Sequence, residues 1–386
     1  MKVLVIGWYG TETIGDRAIL AGMIQLLTKV LGSIDLVLGS LFPFFSERTI
    51  YEDKETISKT SYASVNFSII DTSNSLELKK AVINSDLVVM GGGPLMDLSE
   101  LYMVDYAFKL AKKKRKKTAI LGCGVGPLFH KHYRKTVLSI VKNSDVTVLR
   151  DTSSKNNLEA IYLEFSKDFS ECAIEVGFDP AVHYTYRVNE FIKLNSDKEY
   201  ISINLRSFPS EYSVDEKKGS VNSKLVRFVG KLAESFPETE ILLTPMHYFH
   251  IGDDDRYFLN EIKFKLGRDN LRVQNETLSL EETVKVYTNA KFNIGMRFHS
   301  VVLQTISSGK NYILDYTQPK KGKISGFIGD IDKSGFYEQR YICLQDQAED
   351  FSFDYAAMDS KFVVSPQLVE QSENTYLSQI RKLNLS

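Results

Sequence analysis

The sequence has few thiols. Its 386 residues include three cysteines, Cys123, Cys172 and Cys343, and their odd number and wide spacing argue against both a disulfide framework and a structural zinc site. Neither charge dominates: 48 Lys and Arg stand against 49 Asp and Glu, for a net charge of −1. Nucleic-acid binders are markedly basic, so no nucleic-acid partner is expected. No stretch approaches the roughly 20 apolar residues that cross a bilayer. The opening MKVLVIG meets a glycine turn without the apolar core and cleavage site of a signal peptide, so a cytoplasmic location is expected. Two nucleotide signatures are missing as well. Gly7, Gly10 and Gly15 do not fit GxGxxG, nor do Gly122, Gly124 and Gly126, and no loop ends in GK[ST]. A nicotinamide enzyme and a P-loop enzyme are both disfavoured.

A composition of 43% hydrophobic and 25% charged residues is ordinary for a folded protein, and the length favours two domains. Short apolar runs alternate with amphipathic stretches: strand Val3 to Ile6, helix Asp16 to Val30, strand Ile34 to Leu38. The pattern resumes with strand Asp86 to Met90, helix Leu101 to Lys113, strand Thr118 to Leu121, helix Tyr133 to Asn143 and strand Val146 to Leu149. GFDPAV at 177–182 and the polar segment through Asp197 suit a crossing between domains. A second cycle follows, with strands at 200–204, 240–243, 271–273, 292–294 and 312–315 and helices at 223–235, 254–266, 281–289 and 300–308. The expected fold is α/β, two doubly wound Rossmann-like domains facing a cleft. Their boundaries fall at 1–185 and 198–362, with a C-terminal helix in 363–386 that packs back on the first domain.

Ligands of such sheets bind beyond the carboxyl ends of the strands, so the loops after strands carry the argument. GMRFHS puts Arg297 and His299 two residues apart between a strand and a helix, where a guanidinium and an imidazole can both face one anion; a surface arginine and a capping histidine is the equal alternative. DYTQPKKGK offers Lys320, Lys321 and Lys323 after the next strand, either closing over a phosphate or forming a solvated basic loop. Arg150 and Arg206 each end a strand, one in each half, and an anionic ligand bridging them competes with ordinary salt bridges. In GWYGTETIGD, Gly10 permits close approach of the backbone and Asp16 opens a helix. In GGGPLMD, Gly92 and Gly93 suit a nest of backbone donors, and Asp97 suits a helix cap or a sugar hydroxyl. His247, His250 and Asp253 to Asp255 lack a third soft ligand, so they read as loop and cap, and no metal is expected. The run KKKRKK, Lys112 to Lys117, reads first as a solvated helix end and second as a docking point for anionic headgroups or a lipid pyrophosphate.

Taken in order, GWYGTETIGDRAIL, GGGPLMD, GCGVGP, VTVLRD, GFDP, ISINLR, TPMHYFHIGDD and GMRFHS followed by LDYTQPKKGK resemble the polysaccharide pyruvyl transferase family over residues 1 to about 325. The resemblance implies a glycosyltransferase-B-like architecture with phosphoenolpyruvate as co-substrate and no further cofactor. It implies a donor site drawn from Arg150, Arg206, Arg297, His299, Lys320, Lys321 and Lys323, and a sugar or lipid-linked oligosaccharide acceptor near Gly10, Asp16, Gly92, Gly93 and Asp97. The first loop departs from the family pattern, which often places Asn before the GD pair where this chain has Thr13-Ile14-Gly15-Asp16. On this reading His299 is the general acid and Arg297 its catalytic partner. A glycosyltransferase with a nucleotide-sugar donor and a non-catalytic carbohydrate-binding protein are the two alternatives. The acceptor sugar and the oligomeric state stay open.

Overall fold

The computed structural model describes residues 1–385 apart from 170–172, 194–198, 210–216, 252, 318–321 and 348–349. The chain forms two compact units. Met1–Glu12, Asp16–Val188 and Ser365–Ser386 make the first; Thr13–Gly15 and Asn189–Val364 make the second.

The first unit runs β1 (Lys2–Ile6), α1 (Ile14–Leu31), β2 (Ile34–Ser40), α2 (Pro43–Thr60), β3 (Val65–Asp71), α3 (Ser75–Asn84), β4 (Leu87–Met90), β5 (Pro94–Leu95), α4 (Leu101–Lys113), β6 (Lys117–Val125), α5 (Lys131–Lys142), β7 (Val146–Leu149), α6 (Thr152–Glu164), β8 (Ile174–Val176) and α7 (Pro180–Val188). Its sheet is parallel in the order β3-β2-β1-β4-β6-β7-β8, with the short β5 also paired to β6. Runs such as LVVM and VTVL form strands because they are apolar, rich in β-branched residues and too short for a buried helix; both are buried at every position. Helix α4 buries Leu101, Val104, Ala107, Phe108 and Ala111 at spacings of three and four, one apolar stripe against the sheet. Each large side chain so buried contributes about 1.5–3 kcal/mol before the entropic cost of ordering it.

The second unit runs β9 (Tyr200–Asn204), α8 (Lys217–Ser235), β10 (Glu240–Leu243), α9 (Asp255–Leu266), β11 (Leu271–Val273), α10 (Leu280–Asn289), β12 (Asn293–Gly295), α11 (Phe298–Ser307), β13 (Asn311–Asp315), α12 (Lys323–Ile331) and β14 (Tyr341–Cys343), again wholly parallel in the order β11-β10-β9-β12-β13-β14. The last helix, α13 (Pro366–Lys382), belongs to the first unit. There Ser372 Oγ accepts from Phe178 N at 2.7 Å and the Tyr376 hydroxyl donates to the Phe178 carbonyl at 2.6 Å.

Several expectations need correction. The sequence reading passes from Leu38 to Asp86 without an element, whereas α2, β3 and α3 fill that interval. Strand β3 reads VNFSIID: polar residues interrupt it because it lies at the sheet edge with half of its surface outside the core. The pair α6 and β8 also went unread. The loop GCGVGP is strand over its first four residues, since β6 continues to Val125 across a register shift between Leu121 and Cys123. The supposed crossing at GFDPAV is the start of the buried α7, with Pro180 at its first position and the Asp179 carboxylate accepting from Ala181 N at 3.0 Å. The second sheet does not stop at β13 but gains β14, and Phe351, Phe353 and Tyr355 beyond it pack on Phe228, Phe292 and Tyr312.

Each sheet reverses its strand order once near its middle, between β1 and β4 and between β9 and β12. The crevice at the carboxyl ends of those strands is where such folds take ligands.

Candidate functional site

In the second unit the turn after β9 carries Arg206 and the turn after β12 carries Arg297, so two arginines flank the reversal point. Asn204, the last residue of β9, locks the two turns together. Its buried side chain accepts from Arg297 N at 3.0 Å and donates to the Thr244 carbonyl at 2.9 Å. Arg297 is the N-cap of α11, and His299 follows in the first turn of that helix, its ring edge-on to Phe298 at 4.9 Å.

The Arg297 side chain is not an unengaged anion receptor. Its Nε and Nη2 both donate to the Asp255 carboxylate, at 2.8 Å to Oδ2 and 2.6 Å to Oδ1. Asp255 is 2% exposed and also accepts from Met246 N at 3.0 Å and His247 N at 3.1 Å. Burial works against the arginine's charge, but the carboxylate outweighs it and the Arg297 pKa is raised. Among the described residues Nη1 remains the guanidinium nitrogen without a protein partner. The residue that sequence reasoning missed here is Asp255. The signal lay in the triple acid: Asp254 alone caps α9 by accepting from Arg256 N at 3.0 Å, which leaves Asp255 for another task.

The second missed residue is Tyr316, buried directly after β13. Arg206 lies 5.7 Å from its ring centroid and Lys323 Nζ lies 5.7 Å from it, with the same lysine 5.9 Å from the Phe298 ring. Burial pushes the Tyr316 phenol up, yet Lys323, Arg206 and Arg297 together hold its pKa below the usual tyrosine value. Three of the expected donor cations therefore converge on one phenol. The turn is fixed by the buried Asp315, which accepts from Thr317 N at 2.7 Å and from the Tyr341 hydroxyl on β14. Lys320 and Lys321 lie outside the described residues.

In the first unit Arg150 ends β7 and is 4% exposed. Its charge is met within that unit by Asp151 at 3.3 Å and Asp179 at 3.5 Å, and its guanidinium lies where Gly124 leaves no room for a Cβ. The salt-bridge alternative describes this side chain.

Gly92 and Gly93 have φ of +108° and +73°, and a Cβ on them would meet the rings of Tyr9 and Trp8 at 2.8 and 2.2 Å. Their backbone is covered by side chains of the preceding glycine loop. Gly10, at φ +85°, sits against Ser40 and Phe42. Asp16 does not open α1, which begins two residues earlier; its carboxylate accepts from Thr11 Oγ1 at 3.2 Å. Asp97 Oδ2 accepts from Phe129 N at 2.9 Å and His130 N at 3.1 Å and contacts His130 Nδ1 at 2.6 Å, so it pins the turn into α5 rather than capping a helix of its own. Among the described residues no group of three His, Cys, Asp or Glu side chains is arranged to hold a metal, and no helix is long and apolar enough to cross a membrane.

A family model described as polysaccharide pyruvyl transferase matches residues 14–311, well over half of the chain. Comparison with curated proteins finds no match. Among solved structures the chain is similar to S. aureus MnaA determined with UDP, at 13% identity and a TM-score of 0.53, covering 100% of this chain and 90% of that one. It is also similar to the Methanocaldococcus jannaschii UDP-GlcNAc 2-epimerase determined with UDP-GlcNAc and UDP, at 16% identity and a TM-score of 0.48, covering 82% and 83%. At 13% identity the likeness to MnaA speaks for the fold alone, two Rossmann-like units of the glycosyltransferase-B-like kind.

Proposed function

This chain belongs to the polysaccharide pyruvyl transferase family, and from that premise we propose that it transfers the pyruvyl group of phosphoenolpyruvate to two hydroxyls of a sugar, forming a cyclic ketal and releasing phosphate. The observation that carries the reading is the convergence of Arg206, Arg297 and Lys323 on Tyr316, beside His299 in the first turn of α11. Phosphoenolpyruvate bears a carboxylate and a phosphate on one carbon, and a compact cluster of cations at a helix N-terminus is the complement of that charge pattern. In this account Arg206 and Lys323 supply charge from the neighbouring turns, while Asp255 orients Arg297 so that Nη1 faces the anion.

The chemistry follows from the enol. His299 delivers a proton to the methylene carbon, the double-bond electrons form the new C–H bond, and the adjacent carbon becomes an oxocarbenium-like centre. A sugar hydroxyl adds there and returns a proton to the imidazole. Cleavage of the carbon–oxygen bond to phosphate regenerates the cationic centre, and the second hydroxyl closes the ring as its proton passes to the departing phosphate. One donor and one diol thus yield one ketal and one inorganic phosphate. Fixed cations stabilise the departing phosphate without reorganising, which is the larger contribution expected from the site. Histidine suits the acid role because its reference pKa of roughly 6.5 lies near working pH.

The test is acceptor-dependent phosphate release from phosphoenolpyruvate, run on the wild type and on His299→Gln. The variant should keep its melting temperature and lose turnover; retained turnover would remove His299 from the acid role. Thermal protection by nucleotide sugars and not by phosphoenolpyruvate would instead favour a glycosyltransferase.

A further inference from the structure

Many surface cations of this protein sit with a carboxylate, while scattered exposed lysines such as Lys79, Lys80 and Lys263 have no ion pair among the described residues. Arg227 and Lys231 share Asp350, while Lys265, Arg268, Arg272, Lys285 and Lys291 have Glu261, Glu234, Glu240, Glu281 and Glu199. The end of α4 gathers cations of the second kind in one place. Lys112 pairs with Asp145 at 2.5 Å, but among the described residues Lys113, Lys114, Arg115 and Lys116 have no ion pair, and the first three are exposed.

The same helix carries a second anomaly at its other end. Tyr102 and Tyr106 are 48% and 42% exposed, and with Lys109 and Lys113 they recur at four, three and four residues, a single stripe along the outer face of α4. Helix α5 packs beside it. The rings of Tyr102 and Tyr133 lie 5.6 Å apart at one end, and the Lys112–Asp145 pair joins the other. Phe129, just before α5, is 58% exposed, and the exposed Lys131 and Lys135 continue the cations on that helix. Of the acids nearby, Asp105 pairs with Lys109, Asp145 with Lys112, Glu164 with Arg134 and Asp97 with His130, and Glu100, at the aromatic end, accepts from Ser99 Oγ at 3.0 Å. What results is a helical face about 20 Å long, aromatic at one end and uncompensated in positive charge at the other.

We propose that this α4–α5 face docks on an anionic lipid bilayer, with the lysine cluster on acidic headgroups and Tyr102, Tyr106 and Phe129 at headgroup depth. Charge complementarity selects the occupant: polybasic clusters bind anionic leaflets, and exposed Tyr and Phe rings beside them settle in the interfacial region. A soluble polyanion would use the lysines and leave the aromatic end without a role. The inference rests on the pyruvyl-transfer reading only in supplying a reason for a membrane address, a lipid-linked acceptor.

The experiment is co-sedimentation of the full chain with vesicles of phosphatidylcholine containing phosphatidylglycerol, against vesicles of phosphatidylcholine alone. Binding should appear with the acidic vesicles and fall steeply as salt is raised. Each surface cation contributes roughly fivefold in affinity, so the K113Q/K114Q/R115Q/K116Q variant should bind several hundredfold more weakly. The Y102S/Y106S/F129S variant should bind more weakly while keeping its salt dependence. Both variants should release phosphate from phosphoenolpyruvate with a soluble acceptor at the wild-type rate, which separates the docking claim from the catalytic one. Equal binding to neutral vesicles, unchanged binding by the quadruple variant, or retention on immobilised DNA without vesicle binding would each overturn the inference.

Discussion

Replacing Asp255 by Asn isolates the element that organises the second unit's reversal point. The carboxylate is 1% exposed on its side chain, Arg297 is 15% exposed, and the two share hydrogen bonds of 2.6 and 2.8 Å. An exposed pair of this kind would be worth less than about 1 kcal/mol, but little water is left to screen this one. Removing one partner of a buried pair costs about 3–5 kcal/mol because the other charge stays buried. Asn retains one oxygen for Met246 N and His247 N, so the lower end, about 3 kcal/mol, is the expectation. For a unit of this size that corresponds to a fall of roughly 6–12 °C in its melting transition. The second consequence concerns the ligand. Without the carboxylate that orients it, Arg297 no longer holds Nη1 toward the anion, so phosphoenolpyruvate should raise the melting temperature of Asp255→Asn by less than it raises that of the wild type. Differential scanning calorimetry with and without the ligand reads both. A melting transition within 1 °C of wild type would show that the pair contributes nothing, and the orienting role of Asp255 would fall with it.

Three further outcomes follow from local geometry. His183 is buried, 3.1 Å from Ser372 Oγ, and burial lowers its pKa to about 4 against the Asp179 charge, which raises it. Its contribution to stability is therefore complete above pH 6.5 and is lost as pH falls towards about 4, a total of about 3 kcal/mol that the difference between wild-type and His183→Gln urea titrations should trace across that window. Gly309 has φ +66°, and a Cβ there would lie 2.0 Å from the Phe362 carbonyl oxygen, so Gly309→Ala should cost at least about 2 kcal/mol in urea unfolding or fail to fold. Tyr316→Phe keeps the ring beneath Arg206 and Lys323 but removes the hydroxyl that accepts a hydrogen bond from Lys323, so it should lower the melting temperature by a few degrees, a loss of about 0.5–1.5 kcal/mol, and shift the alkaline limb of the rate profile to higher pH.

Where apolar pattern and burial coincide, the fold was legible in the sequence. Helix α4 and strand β7 were read to the residue because each has a complete apolar stripe or run against the core. Strand β3 was invisible because an edge strand need not be apolar, and α7 was taken for a linker because its Pro and Asp, read as turn residues, instead start and cap a buried helix. At the site, spacing alone placed Arg297 and His299 on the strand-to-helix turn where they stand. It could not disclose that Arg297 is clasped by Asp255, because the partner is 42 residues away and joins it only through the parallel sheet. Tyr316 escaped notice for a similar reason: an isolated tyrosine after a strand carries no motif, and its significance comes from the cations that three separate loops bring to it. Arg150 shows the converse, a residue singled out by position whose charge is already met by Asp151 and Asp179.

The account's central claim is a phosphoenolpyruvate site built by Arg206, Arg297 and Lys323, and calorimetric titration of that ligand into the wild type, Arg206→Ala and Lys323→Ala tests it most directly. The account predicts saturable binding to the wild type and a loss of about tenfold or more in each variant, the value of one charge-assisted hydrogen bond. Binding of equal strength in all three proteins would contradict it.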